Sequence, residues 1–145
     1  MKVNFKKLDE KAVTPSYGSA FAAGADLYAL TDKPVVVPPH ATVLFHTGIA
    51  VEIPEGLVGL VYARSGLASK RNLAPANKVG VIDSDYRGEV MVALHNHGET
   101  EQTVENGERI AQMVLTPYIT AEYEEVTELS DTVRGAGGFG STGTK

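Results

Sequence analysis

The 145-residue chain contains no cysteine. It can therefore form neither a disulfide framework nor a thiolate metal site, and its fold must depend on packing alone. Long apolar runs are missing too. The first residues, MKVNFKKLDEK, are charged throughout and lack the apolar core of about 7 to 15 residues that a secretory signal requires. Because no later run approaches the length of a membrane span, we expect a cytoplasmic protein without a membrane partner.

The sequence also lacks an excess of basic residues, since 13 Lys and Arg stand against 18 Asp and Glu, for a formal net charge of -5. Non-specific binding to nucleic acid requires a basic face, so this balance argues against a nucleic-acid partner. A small anionic ligand is compatible with the charge if the few arginines converge on it. With 43% hydrophobic and 21% charged residues, the composition is typical of one soluble globular domain.

Short apolar runs recur about every eight to twelve residues, separated by glycine and proline and almost without helical periodicity. This pattern predicts an all-β, single-domain fold, a distorted jelly roll or β-barrel, with at most one short helix, at Ser65 to Lys70. The last two predicted strands are Ile110 to Leu115 and Tyr118 to Glu125. We assign residues 1–130 to this β-rich core and residues 131–145 to a mobile, glycine-rich C-terminal tail.

The stretch VGVIDSDYRGEV, Val79 to Val90, predicts a hairpin, because an apolar run breaks into a carboxylate-rich turn and then resumes with period-two alternation. Val90, Val92 and Leu94 should share one face. Asp83 immediately follows the first apolar run, so a rigid strand end would hold it, as catalytic groups are often held. The alternative is that Asp83 is an ordinary turn former whose side chain bonds nearby amides.

Other patterns have simple interpretations. GAGGFG in the tail matches the dinucleotide pattern G-x-G-x-x-G, but too few residues follow for the helix that the pattern requires. His95 and His97 are spaced as two strand-borne metal ligands would be, yet no third ligand is evident, and we expect no metal site there. The glycine-rich tail could still wrap phosphates with its amides and hydroxyls, or it could have no role.

Five motifs occur in one order: AGADL (Ala23–Leu27), ARSGLA (Ala63–Ala68), GVIDSDYRGEV (Gly80–Val90), GERIAQMVL (Gly107–Leu115) and RGAGGFGSTG (Arg134–Gly143). Together they closely resemble the dUTP pyrophosphatase (dUTPase) family of the homotrimeric jelly-roll type. The resemblance implies hydrolysis of dUTP to dUMP and pyrophosphate, which keeps uracil out of DNA and supplies dUMP for thymidylate synthesis. It also implies Mg²⁺, held mainly by phosphate oxygens and waters, and a homotrimer with shared sites.

The resemblance assigns roles to residues in the central motifs. Asp83 matches the general base that deprotonates a water for attack on the α-phosphorus. Tyr86 matches the residue that packs against the deoxyribose and excludes a 2′-hydroxyl, and Asn77 matches a uracil-binding amide. This chemistry suits an Asp at a strand end, because the metal-bound triphosphate supplies the electrophile and the protein need only position water and base.

The remaining assignments concern the phosphates, the metal and the tail. Besides Asn77 and Tyr86, the matched substrate-binding residues outside the tail are Arg64, Ser65, Gly66 and Gln112, of which Arg64, Ser65 and Gln112 match phosphate contacts. Asp26 matches an acid near the water shell of the metal, and no residue is a direct metal ligand. Residues 131–145 match a lid over a neighbouring subunit's site, in which Phe139 covers the uracil. The other matched lid residues are Arg134, Gly140, Ser141 and Thr142, of which Arg134, Ser141 and Thr142 match the groups that close over the γ-phosphate.

Two alternatives stay open at this point. A dCTP deaminase would share the β-fold and an RS-containing motif, but those enzymes lack the combination of Asp83, Tyr86 and an RGAGGFGSTG tail. A non-catalytic nucleotide sensor could retain the fold without activity, since fold alone does not establish function. The intact Asp83 argues against a sensor.

Overall fold

The computed structural model describes residues 1–138, which form twelve strands and one helix. In chain order these elements are β1 (Asn4–Lys7), β2 (Ser16–Tyr17), β3 (Ala25–Tyr28), β4 (Val35–Val37), β5 (Thr42–Phe45), β6 (Ile49–Glu52), β7 (Leu57–Tyr62), α1 (Ser65–Arg71), β8 (Leu73–Pro75), β9 (Gly80–Ile82), β10 (Val92–Asn96), β11 (Gln102–Val104) and β12 (Arg109–Pro117). The predicted all-β fold with one short helix is confirmed. In the described part of the chain, no helix is long and apolar enough to cross a membrane.

The largest sheet has five strands in the order β2-β3-β12-β7-β9, with antiparallel pairing throughout. A three-stranded sheet has the order β5-β10-β8, and two smaller sheets pair β1 with β6 and β4 with β11. The sheets of residues 1–138 stay open and do not close into a barrel. They enclose one core, whose largest fully buried side chains include Phe45, Leu27, Ile49, Leu73, Leu94 and Ile110.

The alternation after Asp83 is confirmed, because Val90, Val92 and Leu94 are all buried in the core. The predicted hairpin, however, is wrong. β9 pairs with β7 in the five-stranded sheet, while β10 pairs with β5 and β8 in the three-stranded sheet. The chain between β9 and β10 lies against β6, because the Val90 amide donates to the Ile49 carbonyl and Glu89 forms a bridge with Ala50. The segment therefore connects two sheets.

The predicted strand Tyr118 to Glu125 is also wrong. β12 ends at Pro117, and residues 118–126 pair with no strand of their own chain among the residues described. Apolar side chains recur along this segment, and Ile119 and Tyr123 are almost fully exposed. The residues have strand-forming character, but a strand forms only where a partner offers hydrogen bonds and apolar surface.

The predicted helix, Ser65 to Lys70, is one residue shorter than the observed helix. α1 begins at Ser65, two basic residues occupy its last turn, and Asn72 ends it in a left-handed conformation with φ of 54°. Basic groups near the C-terminus complement the helix dipole, and asparagine tolerates the left-handed region better than most residues. Arg64 follows β7 and is the N-cap residue of this helix, so the helix fixes the position of its backbone.

Candidate active site

A cavity of about 350 Å³ opens where β9 of the five-stranded sheet passes β5, β8 and β10 of the three-stranded sheet. It brings together Asn77, Asp83 and Tyr86, three of the residues predicted from the sequence. Its other lining residues are mainly apolar, namely Leu44, Val61, Pro75, Gly80, Val81, Ile82, Glu89, Met91, Val92 and Ala93. An apolar recess with a few polar groups at its rim is typical of a small-molecule site.

Asp83 follows the last residue of β9 and begins a turn, in which the Tyr86 amide donates to the Asp83 carbonyl at 3.2 Å. The strand thus holds the backbone of Asp83 while its side chain is exposed. Within residues 1–138 its carboxylate accepts no hydrogen bond, so the oxygens are available to water or ligand. An ordinary turn former would bond nearby amides, and this carboxylate does not.

Tyr86 lies folded back on the same loop. Its hydroxyl donates to the Glu89 carbonyl at 3.0 Å, and its ring lies directly over Gly88. A methyl group built on Gly88 would lie 2.3 Å from the Tyr86 hydroxyl oxygen, which is much closer than any real contact. The ring is half-exposed and forms part of the cavity wall.

Glu89 is a residue of this site that sequence reasoning missed. Its Oε1 accepts from the amides of Thr47 and Gly48 at 3.0 and 2.7 Å, and its Oε2 lies 2.8 Å from His46 Nδ1. Burial raises the pKa of this carboxyl, but the bonds from His46, Gly48 and Thr47 outweigh burial and leave its pKa below the ordinary value. The only sequence signal was an acid placed between a glycine and a buried strand.

Asn77 reaches the cavity from the loop between β8 and β9. The loop is tight, since the Lys78 amide donates to the Pro75 carbonyl and Lys78 has a φ of 65°. A methyl group on Gly80 would lie 3.4 Å from Asn77 Nδ2 and 3.1 Å from Val61 Cβ, so the missing side chain at Gly80 leaves room for the amide. Asn77 is exposed and can offer both a donor and an acceptor to a ligand.

A second polar cluster lies on the five-stranded sheet, around Asp26 of β3. Its side chain is only 10% exposed, with Arg64 Nε 2.7 Å from Oδ1 and Arg109 Nη1 3.3 Å from Oδ2. The two guanidinium groups pair with the same buried carboxylate, and the carboxylate in turn orients Arg64. Gln112, opposite Asp26 on β12, donates through Nε2 to the Ala63 carbonyl at 2.9 Å.

The helix that follows this cluster is anchored at its far end. Arg71 forms an ion pair with Glu108, donates to the Thr103 carbonyl and donates through Nε to Gln102 Oε1 at 3.2 Å. Ser65 and Gly66 open the helix and are exposed. A methyl group on Gly66 would meet nothing within 4 Å in its own chain. Close packing within the protomer therefore gives no reason for a glycine there.

The sequence model of the dUTPase family matches residues 10–143. The chain belongs to the dUTPase family. It is 49% identical to the deoxyuridine 5′-triphosphate nucleotidohydrolase of Hydrogenobaculum sp. (strain Y04AAS1), with all of both chains covered. It is 47% identical to the protein of that name from Acinetobacter baumannii, with 99% of both chains covered.

Solved dUTPase structures share the fold. The Staphylococcus bacteriophage 80alpha dUTPase with dUPNHPP superposes with a TM-score of 0.90 and 32% identity, over 99% of each chain. A mutant dUTPase from phage phi11 of S. aureus, described for its coordination of a structural Mg(II) ion, gives a TM-score of 0.79 and 27% identity. That match covers 88% of this chain and 98% of the other.

In this dUTPase-family chain the two polar clusters are far apart. Ile82 pairs with Gly59, so Asp83 lies level with Val58, whereas Arg64 lies six residues further along. At about 3.3 Å per extended residue, this separation is on the order of 20 Å. The cavity beside Asp83 is lined by two acids, Asp83 and Glu89, and, among residues 1–138, by no lysine or arginine. One protomer therefore does not bring all the predicted residues together.

The predicted lid is only partly described. Arg134 donates through Nε to the Gly137 carbonyl at 2.8 Å, and neighbouring residues form two further turns. The predicted residues Phe139, Gly140, Ser141 and Thr142 lie outside the described residues. Within residues 1–138, no group of three His, Asp or Glu side chains is placed to hold a metal ion.

Proposed function

We propose that this protein hydrolyses dUTP to dUMP and pyrophosphate, and so keeps uracil out of DNA while supplying dUMP for thymidylate synthesis. The observation that carries the proposal is the cavity in which Asn77, Tyr86 and Asp83 meet, the Asp83 carboxylate having no partner within residues 1–138. An amide, an aromatic ring and an accessible carboxylate are the groups needed to bind uracil, test the sugar and activate water. The names of its relatives support the same reaction.

In the proposed complex the uracil enters the apolar recess and its polar edge meets Asn77. The amide pairs with O4 and N3–H of uracil, and the backbone groups beside it leave no room for cytosine or a thymine methyl. The deoxyribose then lies against the Tyr86 ring, which leaves no space for a 2′-hydroxyl. Asn77 thus selects the base, and Tyr86 selects the sugar.

Asp83 accepts a proton from a water molecule as the water oxygen attacks the α-phosphorus. The new P–O bond forms while the bond to the bridging oxygen breaks, and pyrophosphate leaves with the electron pair of that bond. The product dUMP retains the α-phosphate. Because the carboxylate of Asp83 has no competing hydrogen bond among the described residues, it can hold the water in line.

Arg64, Ser65, Gly66 and Gln112 bind the phosphates in this proposal. The Asp26 carboxylate supports it by holding the Arg64 guanidinium at 2.7 Å, and the open space around Gly66 lets a phosphate approach the helix start. When bound to the triphosphate, Mg²⁺ would neutralise charge and help to orient the phosphates. Asp26 is the one buried carboxylate of this cluster, and a single acid that contacts the ion through water agrees with the reluctance of Mg²⁺ to dehydrate.

The active unit is proposed to be a homotrimer with sites shared between chains. Asp83 and Arg64 are far apart, and none of the described residues that line the cavity is basic. Both observations support a phosphate-binding cluster supplied by a neighbour. The exposed apolar side chains of residues 118–133 support contact with a second copy. Residues 131–145 then act as a lid on the neighbouring site, with Phe139 over the uracil and Arg134, Gly140, Ser141 and Thr142 near the γ-phosphate.

Turnover of dUTP tests this function directly. Purified protein is assayed for pyrophosphate release from dUTP, UTP and dCTP, with and without Mg²⁺. Of the three nucleotides, we expect only dUTP to release pyrophosphate. Release should be much faster with Mg²⁺ than without it. Ammonia released from dCTP would indicate a deaminase instead, and tight dUTP binding without turnover would indicate a sensor.

A further inference from the structure

We propose that Gly88 and Glu89 are positioning residues for sugar selectivity, because they hold the Tyr86 ring where it refuses a 2′-hydroxyl. This inference rests on the proposed function, in which Tyr86 packs against deoxyribose. It adds two residues whose contacts determine how well that ring can discriminate.

The first observation is the contact between Tyr86 and Gly88. The ring lies so close to the glycine that a methyl group there would be 2.3 Å from its hydroxyl oxygen and 2.5 Å from Cζ. The atoms that such a methyl would displace belong to the ring itself. Any side chain at position 88 would therefore push Tyr86 out of its present place.

The second observation is that Glu89 forms hydrogen bonds through both its backbone carbonyl and its side chain. Its carbonyl accepts the Tyr86 hydroxyl, while its carboxylate accepts the amides of Thr47 and Gly48 and meets His46. Residues 46–48 form the corner between β5 and β6. Glu89 thus connects the tyrosine to a corner that lies more than 40 residues away in sequence.

The corner is a rigid anchor. Gly48 has a φ of 67°, and a methyl group on it would lie 2.7 Å from both Ala12 Cβ and Leu30 Cδ2. Thr47 is 1% exposed, and its hydroxyl donates to the Val90 carbonyl at 2.6 Å. Because the corner is packed this closely, it cannot move easily. The bonds between Glu89 and the corner therefore hold the loop that contains Tyr86 in place.

Such an anchor matters for selectivity by shape. A 2′-hydroxyl adds one oxygen atom, and a half-exposed ring that could retreat by about 1 Å would admit it. Among residues 1–138, the contacts that hold the Tyr86 ring against this movement are the bond to the Glu89 carbonyl and the contact with Gly88. Loosening either contact should let UTP bind in a productive position while dUTP binding changes less.

The test compares kcat/KM for dUTP and UTP in Glu89→Ala, Glu89→Gln and Gly88→Ala. Glu55→Ala, an exposed acid without a described partner, is the control. The ratio of the two kcat/KM values should fall by about tenfold or more in Glu89→Ala and Gly88→Ala, mainly through a lower KM for UTP. Glu89→Gln should keep most of the selectivity, because its amide oxygen can still accept from Thr47 and Gly48. Glu55→Ala should not change it.

The outcomes separate the two proposals. A wild-type protein that does not hydrolyse dUTP defeats the proposed function itself. If wild type is active and Glu89→Ala and Gly88→Ala lose dUTP and UTP activity equally, Gly88 and Glu89 have only a structural role and this inference is overturned. If Glu89→Ala does not fold, Gly88→Ala decides the question, since an unchanged ratio there also overturns it.

Discussion

Asp26 and Asp83 are the same residue type in opposite surroundings, and the surroundings separate their roles. Asp26 is buried between two arginines, and each of its carboxylate oxygens has a guanidinium partner. Asp83 is exposed at the end of a strand, and its carboxylate has no partner among residues 1–138. Only the second arrangement leaves a carboxylate able to take a proton from water. Asp26 instead suits the orientation of Arg64.

Replacing Asp83 tests this distinction. We expect Asp83→Asn to lower kcat for dUTP by about 100-fold or more, because an amide cannot accept the proton, while KM changes little. Asp85→Asn, an exposed acid of the same turn, should retain nearly the wild-type kcat. Steady-state pyrophosphate release measures both. Near-normal turnover of Asp83→Asn would remove it from the role of base.

The lowered pKa of Glu89 predicts how stability depends on pH. A carboxyl whose pKa is below its ordinary value of 4.5 in the folded state stabilises the fold fully above that value. The stabilisation is lost as the pH falls through the folded-state pKa. We therefore expect wild type to exceed Glu89→Gln in free energy of unfolding near pH 7, and the difference to shrink below about pH 4.5. Urea denaturation at a series of pH values measures it, and a pH-independent difference would contradict it.

At the scale of elements, helix α1 connects the two ends of the proposed phosphate-binding cluster. Arg64 and Ser65 lie at its start, and Arg71 at its end is bound to Glu108 and to β11. The ion pair is about three-quarters buried on both sides. Glu108 directly precedes β12, which carries Gln112. The Arg71–Glu108 pair therefore holds the helix against the strand that carries Gln112, the other proposed phosphate contact.

We expect Arg71→Met to lower the free energy of unfolding by about 1 to 3 kcal/mol, because Glu108 and the Thr103 carbonyl lose a partly buried partner. Arg87→Met is the matched control. Its pair with Glu52 is half-exposed with atoms 3.7 Å apart, so its loss should cost about 0.5 kcal/mol or less. Denaturation at one fixed protomer concentration compares the two. Equal losses in free energy of unfolding would show that the Arg71–Glu108 pair stabilises the fold no more than an exposed ion pair does.

The contrast between local and distant contacts explains which elements were predictable. Helix α1 and the burial of Val90, Val92 and Leu94 follow from nearby residues alone. The partner of β9 and the role of Glu89 depend on β7 and on residues 46–48, which no local pattern identifies. Asp83 was found because its position after an apolar run is itself a local signal. The roles given to it and to the tail came from the resemblance and are still predictions.

On the scale of the whole molecule, one protomer holds two incomplete halves of the proposed site. Asn77, Asp83 and Tyr86 surround the cavity, and Asp26, Arg64 and Gln112 form the other half. A closed symmetric oligomer can place one half of each chain against the other half of its neighbour. This arrangement predicts that two different inactive chains can restore each other.

Mixing tests the sharing of sites. Asp83→Asn and Arg64→Ala chains are each expected to be nearly inactive, and are unfolded and refolded together in equal amounts. If Asp83 and Arg64 of one site come from different chains, about a quarter of the sites regain both residues, and activity recovers accordingly. The two variants refolded separately and then combined serve as the control. No recovery after co-refolding would place both residues of a site in the same chain.

The exposed segment after Pro117 has a consequence for the chain before it assembles. Ile119, Tyr123, Leu129 and Val133 are among its largely exposed apolar side chains, which make an unassembled copy liable to aggregate. Between them lie Glu122, Glu124, Glu125 and Glu128, without a single lysine or arginine from residue 118 to residue 133. Repulsion between these charges keeps identical segments from stacking on one another. If the chain forms the proposed homotrimer, these acidic residues keep a newly made copy from associating wrongly with other copies before the trimer forms.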